Sequence, residues 1–237
     1  MSFVMIKVSQ GTLEIFLRMY TLKLRRPLMT QRLILFATLL LGCATACAGS
    51  SKTDVEKVAI PETAKLATFG GGCFWCMEPP FEKLDGVYAV ISGYSGGEEI
   101  NPSYNDVAGG RTGHTEVVQV AFDPTRVSYD KLLDVFWRSM DPTDSGGQFA
   151  DRGTQYRPAI FTHDDNQREA ALQSRADLGK RGVFPGPIVV EITPFRAFYP
   201  AEDYHQDYYK KNPRRYESYR RGSGRAAFLE RIWGADK

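Results

Sequence analysis

Cys73 and Cys76 stand three residues apart, directly behind Gly70-Gly71-Gly72. A thiol in a first helical turn faces the positive end of the helix dipole and unpaired N–H groups. That setting predicts a Cys73 pKa lowered from about 8.5 into the range of about 3.5–7.5. Only the thiolate attacks, and a free thiol at pH 7 is a few per cent ionised, so full ionisation gains at most about 30-fold. The remaining acceleration must come from a group such as an acid that protonates a leaving oxygen. Cys76, one helical turn on, has its Cβ about 5–6 Å away. A disulfide needs about 3.5–4.5 Å, so a modest backbone adjustment would close one. A buried, inert cysteine pair is the bland alternative, but it leaves the triple glycine without a purpose. A zinc site needs two further ligands. Residues 66–237 hold no other cysteine, and His114, His163 and His205 are scattered singly. No metal or organic cofactor is expected.

Glu116 is the candidate acid. In the run His114–Phe122, period two puts His114, Glu116, Val118, Val120 and Phe122 on one strand face. A carboxyl pointing into an apolar face resists ionisation, so its pKa rises. Such a group donates protons near neutral pH, an effect of roughly 10²–10⁴ in rate. Tyr104 and Tyr156 lie in loops, and their phenols remain protonated hydrogen-bond donors. Phe74 and Trp75 place two aromatics beside the nucleophile.

These residues need a frame. Leu66–Phe69 reads as a strand ending in the glycine turn. Cys73 to Leu84 reads as a helix, with a kink expected at Pro79 and Pro80. Val87–Tyr94 reads as a strand and 93–113 as a long loop. After the 114–122 strand, Ser128 is placed to cap a helix whose stripe is Leu132, Leu133, Phe136, Trp137 and Met140. A second loop spans 141–156, followed by a strand at Ala159–Thr162. A surface helix over Asp165–Lys180 ends at Gly182, a last strand covers Ile188–Ile192, and 201–237 is a polar, aromatic-rich tail. This order predicts an α+β two-layer sandwich with a ferredoxin-like split β-α-β core and long loops.

Four stretches together resemble the A-type methionine sulfoxide reductases. They are Gly-Gly-Cys-Phe-Trp-Cys-Met-Glu around Cys73, Gly-His-Thr-Glu-Val-Val at 113–118, Asp-Arg-Gly-Thr-Gln-Tyr-Arg at 151–157 and Ala-Glu-Asp-Tyr-His-Gln-Asp-Tyr at 201–208. The likeness runs from about Leu66 to Pro213. It implies reduction of methionine (S)-sulfoxide, free or in proteins, for repair after oxidative damage. It also implies a nucleophilic Cys73, with Glu116, Tyr104 and Tyr156 holding the sulfoxide oxygen. Asp151 would support the site, and Phe74 and Trp75 would form a pocket for the methyl group. His205 falls in a motif, and a satisfied structural histidine is the expectation there. Many members carry recycling cysteines near the C-terminus, yet Asn212–Lys237 contains none. Cys76 is then the resolving cysteine within the domain, with Cys47 a remote alternative, and a thioredoxin-type dithiol is the implied reductant.

Residues 1–43 hold six of the basic side chains (Lys7, Arg18, Lys23, Arg25, Arg26, Arg32) and one acid, Glu14. Removing them turns the net charge of +2 into a mildly acidic body, which carries no nucleic-acid footprint. The apolar run 33–41 is too short for a comfortable membrane span and has the length of a signal-peptide core. Leu40-Leu41-Gly42-Cys43 resembles a bacterial lipobox, which predicts lipidation of Cys43, export to the periplasm and anchoring to the membrane. Cleavage after Ala44-Thr45-Ala46 and an uncleaved anchor are the alternatives. Met29 fits a leader start better than Met1. Residues 44–65 read as a flexible tether and 66–237 as the catalytic domain with its C-terminal tail.

Two rival functions use the same residues. A thiol–disulfide oxidoreductase would need only the C-x-x-C and leaves Glu116, Tyr104 and Tyr156 without a task. A membrane-tethered binding module would need no chemistry from the cysteines at all.

Overall fold

The structure is a computed structural model and describes residues 60–234. The leader, with Cys43 and Cys47, and most of the tether lie outside the described residues. Among the described residues, no helix is long and apolar enough to cross a membrane.

Three strands set the frame: β1 (Lys65–Gly70), β2 (Val87–Ser95) and β3 (Thr115–Phe122). The helix α1 (Phe74–Glu82) follows β1. Strand β3 lies between β1 and β2 and is antiparallel to both, so β1-α1-β2 is a split unit. The helix α2 (Tyr104–Ala108) lies between β2 and β3, and α3 (Tyr129–Trp137) follows β3. A small hairpin, β4 (Gly147–Gln148) and β5 (Asp151–Arg152), precedes β6 (Ala159–Thr162). Strand β6 pairs with the other side of β1. Then come α4 (Asp165–Arg181), β7 (Glu191–Pro194) and β8 (Phe198–Pro200). The sheet order is β7-β6-β1-β3-β2-β8, with β7 parallel to β6. The α+β expectation with its split core therefore holds.

Burial explains the order. Seven of the eight residues of β3 are buried, Gln119 being the exception, as a central strand requires. Its two faces feed different clusters. Val118, Val120 and Phe122 join the main core with Phe69, Phe81 and Leu132, whereas Val117 packs with Ala159 and Phe161. The Phe69 ring stacks on Phe81 and on Phe136, each at 5.2 Å. Truncating such a buried ring costs about 3–5 kcal/mol.

Several expectations need correction. The 93–113 loop contains α2, because the Ser103 hydroxyl caps it by accepting the Asp106 N–H. The last strand begins at Glu191 instead of Ile188, and β8 adds a further one. The tail, read only as polar and aromatic-rich, carries three helices, α5 (Tyr208–Lys211), α6 (Pro213–Gly222) and α7 (Arg225–Trp233), with Tyr216, Arg225 and Trp233 buried. Pro213 opens α6 at its first helical turn, where the missing N–H costs nothing. Ser128, Gly182 and the stripe Leu132, Leu133, Phe136 and Trp137 match their assigned roles, whereas Met140 is buried beyond the end of α3.

Candidate active site

Cys73 is the N-cap of α1. The chain reaches it through a turn that only glycine fits. A Cβ on Gly71 would stand 2.6 Å from the Met77 sulfur. One on Gly72, at φ +81°, would stand 2.5 Å from Gln148 Cβ. The triple glycine thus lets the hairpin and α1 close tightly on the thiol, which is only 7% exposed.

The neighbours of that thiol differ from expectation. The N–H of Phe74, first of the helix, donates to Glu116 Oε2 at 3.1 Å. The acid therefore occupies the backbone donor that was assigned to the thiolate. Burial, followed by the charges of Glu116, Cys76 and Asp151, pushes the Cys73 thiol well above its ordinary pKa. The expected depression does not occur, because dipole stabilisation is outweighed by desolvation and nearby carboxylates. The one opposing influence is the Tyr219 hydroxyl.

Glu116 is 1% exposed. Burial raises its pKa to about 8, against the Phe74 N–H bond that lowers it; the charge of Asp151 adds to the rise. It is a protonated acid at neutral pH. Tyr104 opens α2, and burial together with the Glu116 charge pushes its phenol up to about 12. Tyr156 closes a single 3-10 turn at Thr154–Tyr156, and burial, Glu116 and Tyr104 raise it far above the usual phenol range. Glu116 is a felt charge for both phenols, and Cys73 for both as well. The four groups thus converge. Neither phenol oxygen has a hydrogen-bond partner among the described residues, so both remain free to donate.

Asp151 comes from β5 and accepts a hydrogen bond from the Tyr219 hydroxyl. Burial raises its pKa, while Tyr219 and Arg225 lower it. Tyr219, from α6, thereby holds the aspartate, and its ring meets Trp75 edge-on at 5.9 Å. Sequence reasoning missed Tyr219; the only signal was a Tyr216/Tyr219 pair at helical spacing in the tail.

Phe74 and Trp75 separate. Phe74 is fully buried, 4.9 Å from the His205 ring. Trp75 is partly exposed and lies flat on Tyr208 at 3.6 Å, so it alone offers an open apolar wall. Its indole N–H donates to His205 Nδ1 at 3.0 Å, and burial lowers that histidine to about 4. His205 is thus neutral and acts as an acceptor, although its buried Nε2 lacks a partner. The rest of the 201–208 motif is a brace. Glu202 accepts from the Tyr94 hydroxyl at 2.8 Å and the Tyr104 N–H at 2.9 Å. Gln206 clamps both backbone groups of Ser92 at 2.9 Å.

Cys76 points elsewhere. It is 4% exposed and packs with Tyr208 and Tyr216. Both cysteines are free thiols, and the Cys73 carbonyl accepts the Cys76 N–H at 3.0 Å.

A nucleophile, a protonated carboxylic acid and two free phenols within electrostatic reach of one another can attack a sulfur and protonate the oxygen it carries. Comparison with known proteins gives the same direction. A family model described as peptide methionine sulfoxide reductase matches residues 65–237. Peptide methionine sulfoxide reductase MsrA of Bacillus licheniformis is 54% identical over 173 residues, 73% of this chain and 96% of its own. MsrA 2 of Staphylococcus aureus Mu50 is 52% identical, over 73% of this chain and 97% of its own. Among solved structures, Mxr1 from Saccharomyces cerevisiae in reduced form is 37% identical with a TM-score of 0.61, over 65% of this chain and 88% of that one. Methionine sulfoxide reductase A of Corynebacterium diphtheriae is 36% identical with a TM-score of 0.58, over 65% and 77%.

Proposed function

We propose a reaction cycle on one premise: the chain belongs to the peptide methionine sulfoxide reductase family and is an oxidoreductase that reduces methionine sulfoxide. The observation that carries the cycle is the buried Glu116 carboxyl, protonated below pH 8 and bonded to the amide that follows Cys73.

Cys73 Sγ attacks the sulfur of methionine (S)-sulfoxide. Glu116 gives its proton to the sulfoxide oxygen, and Tyr104 and Tyr156 donate hydrogen bonds to that oxygen as charge builds on it. The thiol proton passes to Glu116, which restores the acid. The oxygen then passes from the methionine sulfur to Cys73 Sγ as the transient S–S bond breaks, so that thiol and sulfoxide become sulfenic acid and methionine with no net proton change. The raised pKa of Cys73 fits this balance, since both protons are present at rest. Asp151 and Tyr219 position the thiol, and Trp75 packs against the methyl group. Cys76 then attacks the Cys73 sulfenic acid, releasing water and forming a disulfide. A thioredoxin-type dithiol reduces that disulfide by exchange. The substrates are oxidised proteins or free methionine sulfoxide, and the cycle serves protein repair.

The rival reading as a plain thiol–disulfide oxidoreductase leaves a protonated acid and two free phenols without a task. Mass spectrometry of the purified protein mixed with each epimer of a methionine sulfoxide substrate tests the cycle. The (S)-epimer should release methionine and cost the protein two hydrogens; disulfide formation with neither epimer would refute it. We also propose, from Leu40-Leu41-Gly42-Cys43 alone, a lipid-anchored periplasmic protein. A lipid-precursor label should mark the wild type and not Cys43→Ala; an unlabelled cytoplasmic wild type would overturn this.

A further inference from the structure

We propose that an anionic low-molecular-weight thiol reduces the oxidised Cys73–Cys76 pair through a cavity on the Cys76 side of α1, by attacking Cys76. The proposal rests on the reading above that these two cysteines form a disulfide.

The cavity has a volume of about 710 Å³ and is lined by Cys76 but not by Cys73. Its size falls in the range of small-molecule sites, about 300–1,000 Å³. A thiol at such a wall, 4% exposed, suits a small molecule better than the flat face of a protein. The two faces of α1 thus divide the work, with Glu116 and the phenols near Cys73 and this cavity near Cys76.

The charge of the cavity selects its ligand. Lys83, Arg220 and Arg225 line it. Neither Lys83 nor Arg220 makes an ion pair among the described residues. Arg225 is buried and spends its donors on neutral carbonyls, Ser139 O at 2.6 Å and Gly71 O at 3.0 Å. The lining acids are already engaged. Asp134 lies 3.5 Å from Lys131 and 3.0 Å from Arg138, and Glu217 lies 3.5 Å from Arg221. The surplus is positive. Arg225 and Arg220 also pull the Cys76 thiol down, against the burial that raises it.

The chemistry balances with two thiols. A thiolate RS⁻ attacks Cys76 Sγ, the Cys73–Cys76 bond breaks and Cys73 leaves as a thiolate, which takes up a proton. A second RS⁻ attacks the outer sulfur of the RS–Cys76 bond, releasing RSSR and the Cys76 thiolate. Two RSH are oxidised and one protein disulfide is reduced. Attack on Cys76 frees the nucleophile of the next turnover first.

The test uses the full chain carrying Cys43→Ser and Cys47→Ser, oxidised with diamide, its loss of two hydrogens confirmed by mass. Reduction is then timed with mercaptosuccinate (two carboxylates), mercaptoethanol (none) and cysteamine (cationic). Rates are compared at equal thiolate concentration and corrected for thiol basicity. At low salt mercaptosuccinate should exceed mercaptoethanol about tenfold, with cysteamine slowest, and salt should compress the spread. In Lys83→Glu/Arg220→Glu the ratio should fall to one or below. That ratio is internal to each variant, so a general loss of stability does not mimic it. Fragmentation should place the first adduct on Cys76. Equal rates for the three thiols, a ratio unmoved by charge reversal, an adduct on Cys73 or failure of the disulfide to form would each overturn the proposal. Methionine release with neutral dithiothreitol reports separately on the sulfoxide reaction.

Discussion

The Phe74 N–H donates to Glu116 Oε2 across 3.1 Å, so the first amide of the nucleophile's helix serves the acid and not the thiol. This bond orients a carboxyl that burial keeps protonated to about pH 8. The proton is thereby held next to the sulfur that attacks.

Glu116→Gln should slow single-turnover methionine release by about 10²-fold or more with substrate affinity largely retained. The wild-type rate should fall as pH rises through about 8, because Glu116 loses its proton there. The variant should lack that fall. An unchanged rate, measured by rapid quench, would remove Glu116 from the chemistry.

Tyr219→Phe removes the hydroxyl that bonds Asp151 and lowers the Cys73 pKa. The pH profile of Cys73 alkylation should move upward, because an influence that lowers the thiol pKa is lost. A profile that stays in place would assign Tyr219 to packing.

Glu78 tests a buried acid outside the reaction. It is 1% exposed, its Oε2 lacks a partner, and burial raises its pKa to about 8. Lys210 sits 2.7 Å from Glu82 and from Asp207 and serves as the cation of that cluster. The folded pKa exceeds the unfolded one. Stability from neutral Glu78 is therefore full below about 4.5 and lost as pH rises toward about 8. Glu78→Gln should raise Tm at pH 8.5 by about 3 °C or more, with little change at pH 4.5. Thermal denaturation at both pH values reads the difference; equal shifts would contradict it.

Much of this was legible before any coordinates. The spacing of Val118, Val120 and Phe122 put Glu116 on the core face, and the Gly-Gly-Cys turn placed the thiol at a helix start. The tail was not legible. Tyr216 and Tyr219 stand among charged residues in α6, and Arg225 is a charged residue whose burial depends on the distant carbonyls of Gly71 and Ser139. The Cys73 pKa departs from the sequence expectation for a related reason. A helix-dipole argument is local, whereas Glu116 and Asp151 arrive from strands 43 and 78 residues downstream. The double proline of α1 lies inside an unbroken helix, because strand packing outweighs the lost hydrogen bonds.

Cys76→Ala should stop after its first turnover, with Cys73 trapped as a sulfenic acid by a dimedone-type reagent. A variant that recycles with a thioredoxin-type donor as fast as the wild type would show that the intramolecular disulfide is off the main route.

The most direct test counts methionine from a single turnover without reductant, in Cys76→Ala and in Cys73→Ser/Cys76→Ala. The account predicts one methionine per protein, with a gain of one oxygen at Cys73, from the first and none from the second. More than trace methionine from the Cys73 variant would contradict the assignment of the nucleophile.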